Sequence, residues 1–179
     1  MKHIKKIIAT VVLSITLLLS MTGCSGYSFY NDWHQAGADI DRSHIFISIG
    51  IDEVARKIEA NETFALLYAT SESQASVAVV TSLQIQAEYL GCEDKHIYFL
   101  NAANYLSTSA LRKEVKEKTK IHDPMDETSD DPIIITYDQG RVDVDTSYKS
   151  KPATKKYLVD NTVQYASLAS HIFRELLVE

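Results

Sequence analysis

The chain has 179 residues, of which 45% are hydrophobic and 23% charged; this fits one ordinary globular domain and argues against disorder. Its two cysteines exclude a disulfide-dense scaffold and a four-cysteine zinc site. With 18 Lys and Arg against 24 Asp and Glu, the net charge is −6, which argues against nucleic-acid binding because that binding depends on neutralising phosphates.

The first 23 residues have the pattern of a secretory signal peptide. They contain three lysines and no acidic residue, and an apolar run occupies residues 7–20. That run is too short to cross the ~30 Å hydrocarbon core of a bilayer as a helix. A basic start, a short apolar stretch and small residues before a cleavage site are typical of exported proteins. We therefore expect residues 1–23 to be removed from the mature chain.

Cys24 follows directly on Met21-Thr22-Gly23, and this tetrapeptide resembles the lipobox of bacterial lipoproteins. The resemblance implies that the Cys24 thiol carries a diacylglyceryl group and that Cys24 becomes the mature N-terminus. The alternative is a plain signal peptide that a cysteine happens to follow. Without residues 1–23 the net charge is −9, and anionic headgroups repel such a body. We therefore expect the acyl chains to hold the protein at the extracytoplasmic face of the cell membrane.

Residues 24–43 are predicted to form a tether between the lipid and the folded domain. Gly, Ser, Asn and Asp recur in this segment, and its hydrophobic residues show little periodicity. Trp33 is expected to pack against the domain, which is predicted to comprise residues 44–179.

The first half of this domain is predicted to alternate strands and helices. β-Branched and aromatic residues indicate the strands, and apolar residues three or four apart indicate the helices. Gly91 is expected to end the second, longest helix. In chain order the elements are a strand at 44–49, a helix at 51–60, a strand at 63–68, a helix at 71–90, a strand at 96–100 and a helix at about 106–120.

The second half begins with an acidic loop at 122–131. Two strands at 132–137 and 141–145 follow, joined by Asp138-Gln139-Gly140, which is a β-hairpin signal. A last helix is predicted at about 161–177, and residues 148–160 carry no clear pattern. This order requires parallel crossovers at the beginning of the sheet and an antiparallel edge at its end.

The run from Asp131-Pro132 to Gly140-Arg141-Val142 is similar to the cis-proline strand and hairpin of thioredoxins. Residues 44–179 therefore resemble a thioredoxin-like domain, an α/β fold with a central mixed sheet flanked by helices and a C-terminal β-hairpin and helix. The segments that begin at Ile51 and Thr63 resemble the bacteriocin transport accessory branch of that family. The resemblance implies a cis bond between Asp131 and Pro132, and a peptide-binding edge at these two residues.

The resemblance also places the Cys-x-x-Cys pair of thioredoxins where this chain has no thiol. In one register Thr70 and Ser73 stand at the two cysteine positions, and in a register shifted by one residue Ser71 and Gln74 do. The position thus comprises Thr70, Ser71, Glu72 and Ser73. Hydroxyl groups neither ionise near neutral pH nor form disulfides, so we expect no thiol–disulfide oxidoreductase activity.

The buried acid of thioredoxins is also replaced. It would fall on Phe64, or on Ala65 in the shifted register, and neither accepts a proton. Cys92 lies at the far end of the long helix and, with Cys24 lipidated, has no partner; it is expected to be a small, partly buried hydrophobic residue.

Two further groups of residues contain the residue types of a metal site or a hydrolase site. The acids of the 122–131 loop, with His122, offer oxygen and nitrogen ligands, but their spacing does not match a calcium loop and we expect no metal or other cofactor. Ser71, Ser73, His96 and Asp131 contain the residue types of a hydrolase triad, but no Gly-x-Ser-x-Gly turn supports one.

Two classes of function remain from the sequence. The first is a membrane-anchored, redox-inactive thioredoxin-like module that binds a peptide or protein partner and assists secretion or envelope maintenance. The second is an extracytoplasmic enzyme that uses the Ser/Thr turn and the acidic loop. Because no nucleophile is matched with a base, the sequence favours the binding module over an enzyme.

Overall fold

The computed structural model describes residues 25–126, 129 and 131–178. Over these residues the strands are β1 (Phe46–Ser48), β2 (Phe64–Ala69), β3 (Ile97–Asn101), β4 (Ile133–Asp138), β5 (Arg141–Asp145), β6 (Leu158–Val159) and β7 (Thr162–Val163). The helices are α1 (Ser25–Gln35), α2 (Ile51–Glu59), α3 (Gln74–Leu90), α4 (Ser109–Thr119), α5 (Pro152–Lys155) and α6 (Tyr165–His171). A 3₁₀ turn at Ala102–Asn104 follows β3, and a π-helical turn at Ile172–Leu176 continues α6.

The central sheet has five strands in the order β1-β3-β2-β4-β5. β3 pairs in parallel with both β1 and β2, whereas β4 runs antiparallel to β2 and to β5. Helices pack on both faces of this mixed sheet. The β4–β5 hairpin lies in the C-terminal part of the chain, and α6 is its last α-helix. The protein has a thioredoxin-like fold, as the order of predicted elements indicated.

β2 lies in the middle of the sheet, and all six of its side chains are buried. Phe64, Leu66 and Tyr68 belong to the core on the face covered by α2 and α4. The alternate residues Ala65 and Leu67 belong to the core on the face covered by α1, α3 and α6. A continuous apolar run is what a strand covered on both faces requires, and this explains why β2 was readily predicted.

The predicted tether at 24–43 is wrong over the described residues, because Ser25–Gln35 forms α1. Phe29 and Trp33 lie one turn apart on this helix and are only 2% and 1% exposed. Their rings contact each other and also Phe99 of β3. The burial of Trp33 against the domain was expected, but the helix was not. Phe29 and Trp33 are the buried side chains among residues 28–35, and a single pair of apolar residues four apart is a weak signal for a helix.

Several predicted boundaries move because of capping. α3 begins at Gln74 rather than at 71, since the Ser73 Oγ accepts a hydrogen bond from the Ser76 N–H, 3.2 Å away, and so caps the helix. It ends at Gly91, whose φ of 64° is the left-handed conformation expected there. The last helix begins at Tyr165 rather than 161, because Asp160 and Asn161 take positive φ values in the β6–β7 turn.

Candidate functional site

The turn at residues 70–73 lies beside the strand that begins after Pro132. This turn is the predicted counterpart of the Cys-x-x-Cys pair of thioredoxins. Tyr68 near the end of β2 pairs with Ile133, the first residue of β4. Thr70, two residues after Tyr68, therefore lies at the same edge of the sheet as Pro132. This adjacency was expected from the resemblance to thioredoxins. We call this edge, where the parallel strands end, the carboxyl edge.

The bond between Asp131 and Pro132 is trans, since no cis peptide bond occurs among the described residues. The expected cis-proline is therefore wrong, and backbone pairing of a peptide with Asp131 and Pro132, which depended on the cis bond, loses its structural precondition. An X-Pro bond favours the trans form by about 0.5–1 kcal/mol, so the sequence Asp-Pro alone does not enforce the cis form.

Strand addition is also disfavoured at the exposed side of the sheet. β4 pairs with strands on both sides, and the outer edge of the sheet there is β5. The Lys151 ammonium donates to the backbone carbonyls of Val142 and Asp143, each 3.0 Å away, and the Thr154 hydroxyl donates to the carbonyl of Asp145. Because these acceptors are already used, β5 offers little to an added strand.

The hydroxyl groups of the turn stabilise its backbone. The Thr70 Oγ1 accepts a hydrogen bond from the Glu72 N–H at 3.3 Å, and the Ser73 N–H donates to the Thr70 carbonyl at 3.2 Å. Thr70 and Ser73 are buried, Ser71 is half-buried and Glu72 is exposed. The turn therefore serves as an ordered beginning for α3, with no thiol at any of its four positions.

The position of the thioredoxin acid is apolar in either register. Phe64 is 2% exposed and stacks on Tyr137, with 4.3 Å between ring centroids, and Ala65 is fully buried. Burial raises the pKa of the Tyr137 phenol well above its ordinary value. No proton acceptor for a thiol therefore stands at this place in the core.

A cavity of about 640 Å³ opens beside the turn at the carboxyl edge. Its lining comes from the first turns of α3, the acidic loop, the beginning of β4, residues 146–149 and residues 161–165. We call this cavity the groove. Its lining includes Ala75, Ala78, Val79, Asp123, Pro124, Met125, Asp126, Ser129, Asp131, Pro132, Ile133, Thr146, Ser147, Lys149, Asn161, Thr162, Val163 and Tyr165.

Two walls of the groove were missed in the sequence. Ala75 and Ala78 lie on the side of α3 away from its buried stripe, and short side chains there leave room. β6 lies in the 148–160 region that carried no sequence pattern, whereas β7 at Thr162–Val163 falls where the last helix was predicted to begin. Only tertiary packing brings these segments to the acidic loop, so no local signal could have grouped them.

The first part of the acidic loop is fixed by a buried carboxylate. Asp145, 2% exposed, accepts hydrogen bonds from the His122 N–H at 2.8 Å and from the N–H and hydroxyl of Ser147 at 2.9 and 2.6 Å. The Asp123 N–H donates to the Ser147 Oγ at 3.1 Å, and the His122 ring stacks on Tyr148. These contacts hold Asp123 at the rim of the groove.

The rim of the groove carries more negative than positive charge. Asp123, Asp126 and Asp131 contribute carboxylates, and Lys149 contributes an ammonium. Burial, and then the neighbouring Asp131 charge, raise the pKa of Tyr165 to about 12. The Tyr165 hydroxyl thus keeps its proton at neutral pH and offers a hydrogen-bond donor inside the groove.

The loop shows no metal-binding arrangement within the described residues. No three His, Cys, Asp or Glu side chains among them come together as metal ligands, and the His122 ring is stacked on Tyr148. Glu127 and Asp130 lie outside the described residues.

The structure separates the other candidate residues. His96 precedes β3 at the opposite edge of the sheet from Ser71 and Ser73, so these residues do not form a hydrolase triad with Asp131. Cys92 follows the last turn of α3, a helix about 25 Å long, and its Sγ lies 3.5 Å from the Leu90 carbonyl.

The predicted signal peptide at 1–23 and the predicted lipidation site Cys24 lie outside the described residues. Within the described part of the chain, no helix combines the length and the apolar character needed to cross a membrane.

A scan against protein-family models and a search of curated proteins found no match to this chain. The order and direction of the strands establish the fold, and the function is argued from the groove and its charges.

Proposed function

We propose that this protein is a lipid-anchored, extracytoplasmic lipoprotein whose redox-inactive thioredoxin-like domain binds an extended peptide or protein segment in the groove. In this role it assists secretion or the maintenance of the cell envelope. The observation that carries the proposal is the groove itself, which lies beside an ordered turn that has lost its thiols but not its place at the carboxyl edge.

The size and lining of the groove favour binding over chemistry. A volume of about 640 Å³ lies within the range of ligand sites and suffices for several side chains. Val79, Ile133 and Val163 offer apolar contact, whereas the Tyr165 hydroxyl and the loop carboxylates offer polar contact. The hydroxyl oxygens of Thr70 and Ser73 accept hydrogen bonds from backbone N–H groups and so cap the turn and α3.

The charge of the rim indicates the chemistry of the partner. Three carboxylates against one ammonium attract lysine and arginine side chains, and they repel acidic segments. Because β4 is paired on both sides and several carbonyls of β5 are already used, we expect side-chain contacts and charge to carry the binding. The proposed ligand is therefore an extended segment that alternates basic and apolar residues.

Replacing Asp131 by Lys tests this proposal. The full chain in detergent is titrated into a fluorescein-labelled peptide of alternating Lys and Val residues, and anisotropy is followed at low and moderate salt. Asp131→Lys is expected to weaken binding about tenfold, roughly 1.4 kcal/mol, and to reduce its salt dependence, with little change in Tm.

Asp94→Lys is the matched control. This substitution makes the same change of charge at the opposite edge of the domain, where the Asp94 side chain is 74% exposed. Equal weakening by both variants would mean that only the overall charge matters. Equal affinity for a Glu–Val peptide would contradict a role for the acidic rim.

The anchor is tested separately through Cys24. Cys24→Ala is expected to release the protein from the membrane fraction, or to stop its processing, because the remaining chain has a net charge of −9 and no other affinity for lipid. Cells that express this variant are fractionated and the protein is followed by immunoblotting. Normal processing with full membrane retention would refute the lipoprotein assignment.

A further inference from the structure

The lipid anchor proposed above is separated from the folded domain by no spacer. α1 begins at Ser25, the residue directly after Cys24. Phe29 and Trp33 fix this helix in the core, at 2% and 1% exposure. A lipid on Cys24 therefore holds the domain close to the bilayer in a restricted set of orientations.

The first turns of α1 lie at the carboxyl edge of the sheet. Ser28 and Asp32 line a small cavity of about 210 Å³ together with Gly50 and Asn101, and these two residues lie at the ends of β1 and β3. Ser25 is one helical turn before Ser28, about 5 Å along the axis. Ser25, the residue next to the proposed attachment point, is thus near this edge.

The groove opens at the same edge. Asn101 at the end of β3 pairs with Ala69 at the end of β2, and Tyr68 pairs with Ile133 at the beginning of β4. The ends of β1, β3 and β2 and the beginning of β4 therefore lie in one row. Three strand spacings of ~4.8 Å separate its first and last members by about 15 Å.

From these placements we infer that the protein sits on the bilayer with its carboxyl edge, and hence the mouth of the groove, facing the lipid. The inference rests on the proposed lipid anchor and names the partner more closely. The ligand is a basic segment that directly flanks a membrane anchor or emerges at the bilayer surface. A partner that stays far from the membrane would meet the opposite edge of the domain.

Two labelled positions on the same helix test the orientation. Glu72 is exposed in the turn before α3, and Glu93 is exposed just after its other end, about 25 Å away. In a Cys92→Ser background, Glu72→Cys or Glu93→Cys carries a fluorophore. The lipidated full chain is reconstituted into phosphatidylcholine vesicles that contain lipids with nitroxide-labelled headgroups.

The label at position 72 is expected to be quenched at least twofold more strongly than the label at position 93. Equal quenching at both positions, or stronger quenching at 93, would overturn the inference. A flexible spacer of about 20 Gly and Ser residues inserted between Cys24 and Ser25 is the matched control. It is expected to abolish the difference while the protein still floats with the vesicles, and a difference that survives the spacer would show that α1 does not set the orientation.

The outcome separates this inference from the proposed function. Failure of the full chain to float with the vesicles would refute the lipid anchor and the orientation together. A clear difference between the two labels, combined with no binding of the basic peptide, would support the orientation and refute peptide binding in the groove.

Discussion

Gly140 occupies a position in the β4–β5 turn where no side chain fits. Its φ is +72°, and a Cβ atom there would lie 2.4 Å from the carbonyl oxygen of Ile58 and 3.0 Å from the Asn61 Cα. The Gly140 N–H also donates to the Glu62 carbonyl at 2.9 Å. The turn is thus packed tightly against the end of α2, and glycine is required both by conformation and by space.

Gly140→Ala is expected to lower the free energy of unfolding by more than ~2 kcal/mol, since it combines an unfavourable φ with backbone overlap. Urea unfolding measures the change. Gly50→Ala is the control, because Gly50 has a φ of −85° and open space around its Cα, and it should shift stability by less than about 1 kcal/mol. Similar losses in both variants would contradict the tight contact at Gly140.

Tyr165 links the groove to the pH dependence of stability. Its pKa is raised to about 12 in the folded protein by burial and by Asp131, against an ordinary value near 10. Below pH 10 the phenol is protonated in both folded and unfolded chains, so its contribution to the free energy of unfolding is fully present. As the pH rises from 10 towards 12, only the unfolded chain loses this proton, and stability falls by about 1.4 kcal/mol per pH unit.

Tyr165→Phe is expected to reduce the loss of unfolding free energy between pH 9 and pH 11 by about 1 kcal/mol. Tyr68 and Tyr137, whose pKa values are also raised by burial, still contribute their share in this variant. Chemical denaturation at the two pH values measures the effect. Tyr89→Phe, at a side chain 82% exposed, should behave as the parent protein; a Tyr165→Phe variant that does the same would mean that Tyr165 is accessible to solvent.

Among the elements, α1 departs most from the sequence-based expectation, because residues 25–35 were predicted to be part of a tether and instead form a helix that packs into the core. Phe29 contacts Phe46 of β1 and Phe99 of β3 with ring centroids 4.9 Å apart in each case. These contacts cover the end of the sheet formed by β1, which has only three residues. The helix thus protects the short outer strand of the sheet.

Trp33→Ala is expected to lower the free energy of unfolding by about 3–5 kcal/mol, the usual cost of removing a large buried aromatic side chain. Thermal unfolding and hydrogen exchange of the β1 and β3 amides would register this loss. His34→Ala, at the exposed neighbouring position, should change stability by less than about 0.5 kcal/mol. If Trp33→Ala left the free energy of unfolding unchanged, the result would favour the predicted tether over a helix that is part of the core.

The elements that the sequence predicted well have strong local signals. α2 carries apolar residues at helical spacing after Gly50, β2 is a continuous apolar run, and Asp138-Gln139-Gly140 specifies its hairpin locally. The termini of α3 and α6 moved by three or four residues, since capping by Ser73 and the positive φ of Asn161 decide where helical hydrogen bonds begin. α1 was missed because its one apolar pair becomes meaningful only against β1 and β3.

At the scale of the whole molecule, Cys92 is the one cysteine among the described residues, and it lies far from the carboxyl edge. The purified protein is therefore expected to show no reduction of insulin disulfides above background, measured by turbidity with dithiothreitol as the electron donor. Cys92→Ser is the control and should give the same result. Activity that persists in Cys92→Ser would show that the assignment of the turn at Thr70 to Ser73 is wrong.

The candidate site was predictable only in part. The resemblance to thioredoxins brought the turn at Thr70 and Pro132 to one edge, because the order of strands fixes which ends are neighbours. It failed for the isomer of the Asp131–Pro132 bond, which depends on the surrounding loop. It also gave no view of the groove, whose walls come from α3, the acidic loop and the β6–β7 turn and meet only in the folded chain.

The pairing of β1 and β2 with later strands also has a kinetic consequence. Phe46 pairs with Ile97, about 50 residues later, and Phe64 pairs with Tyr137, about 70 residues later. Such distant pairs raise the contact order, and mixed α/β domains accordingly fold more slowly than helical bundles. The central strand β2 finds its second neighbour only after β4 has been synthesised. The five-stranded sheet is therefore able to close only when residues 133–138 are available, late in the synthesis of the chain.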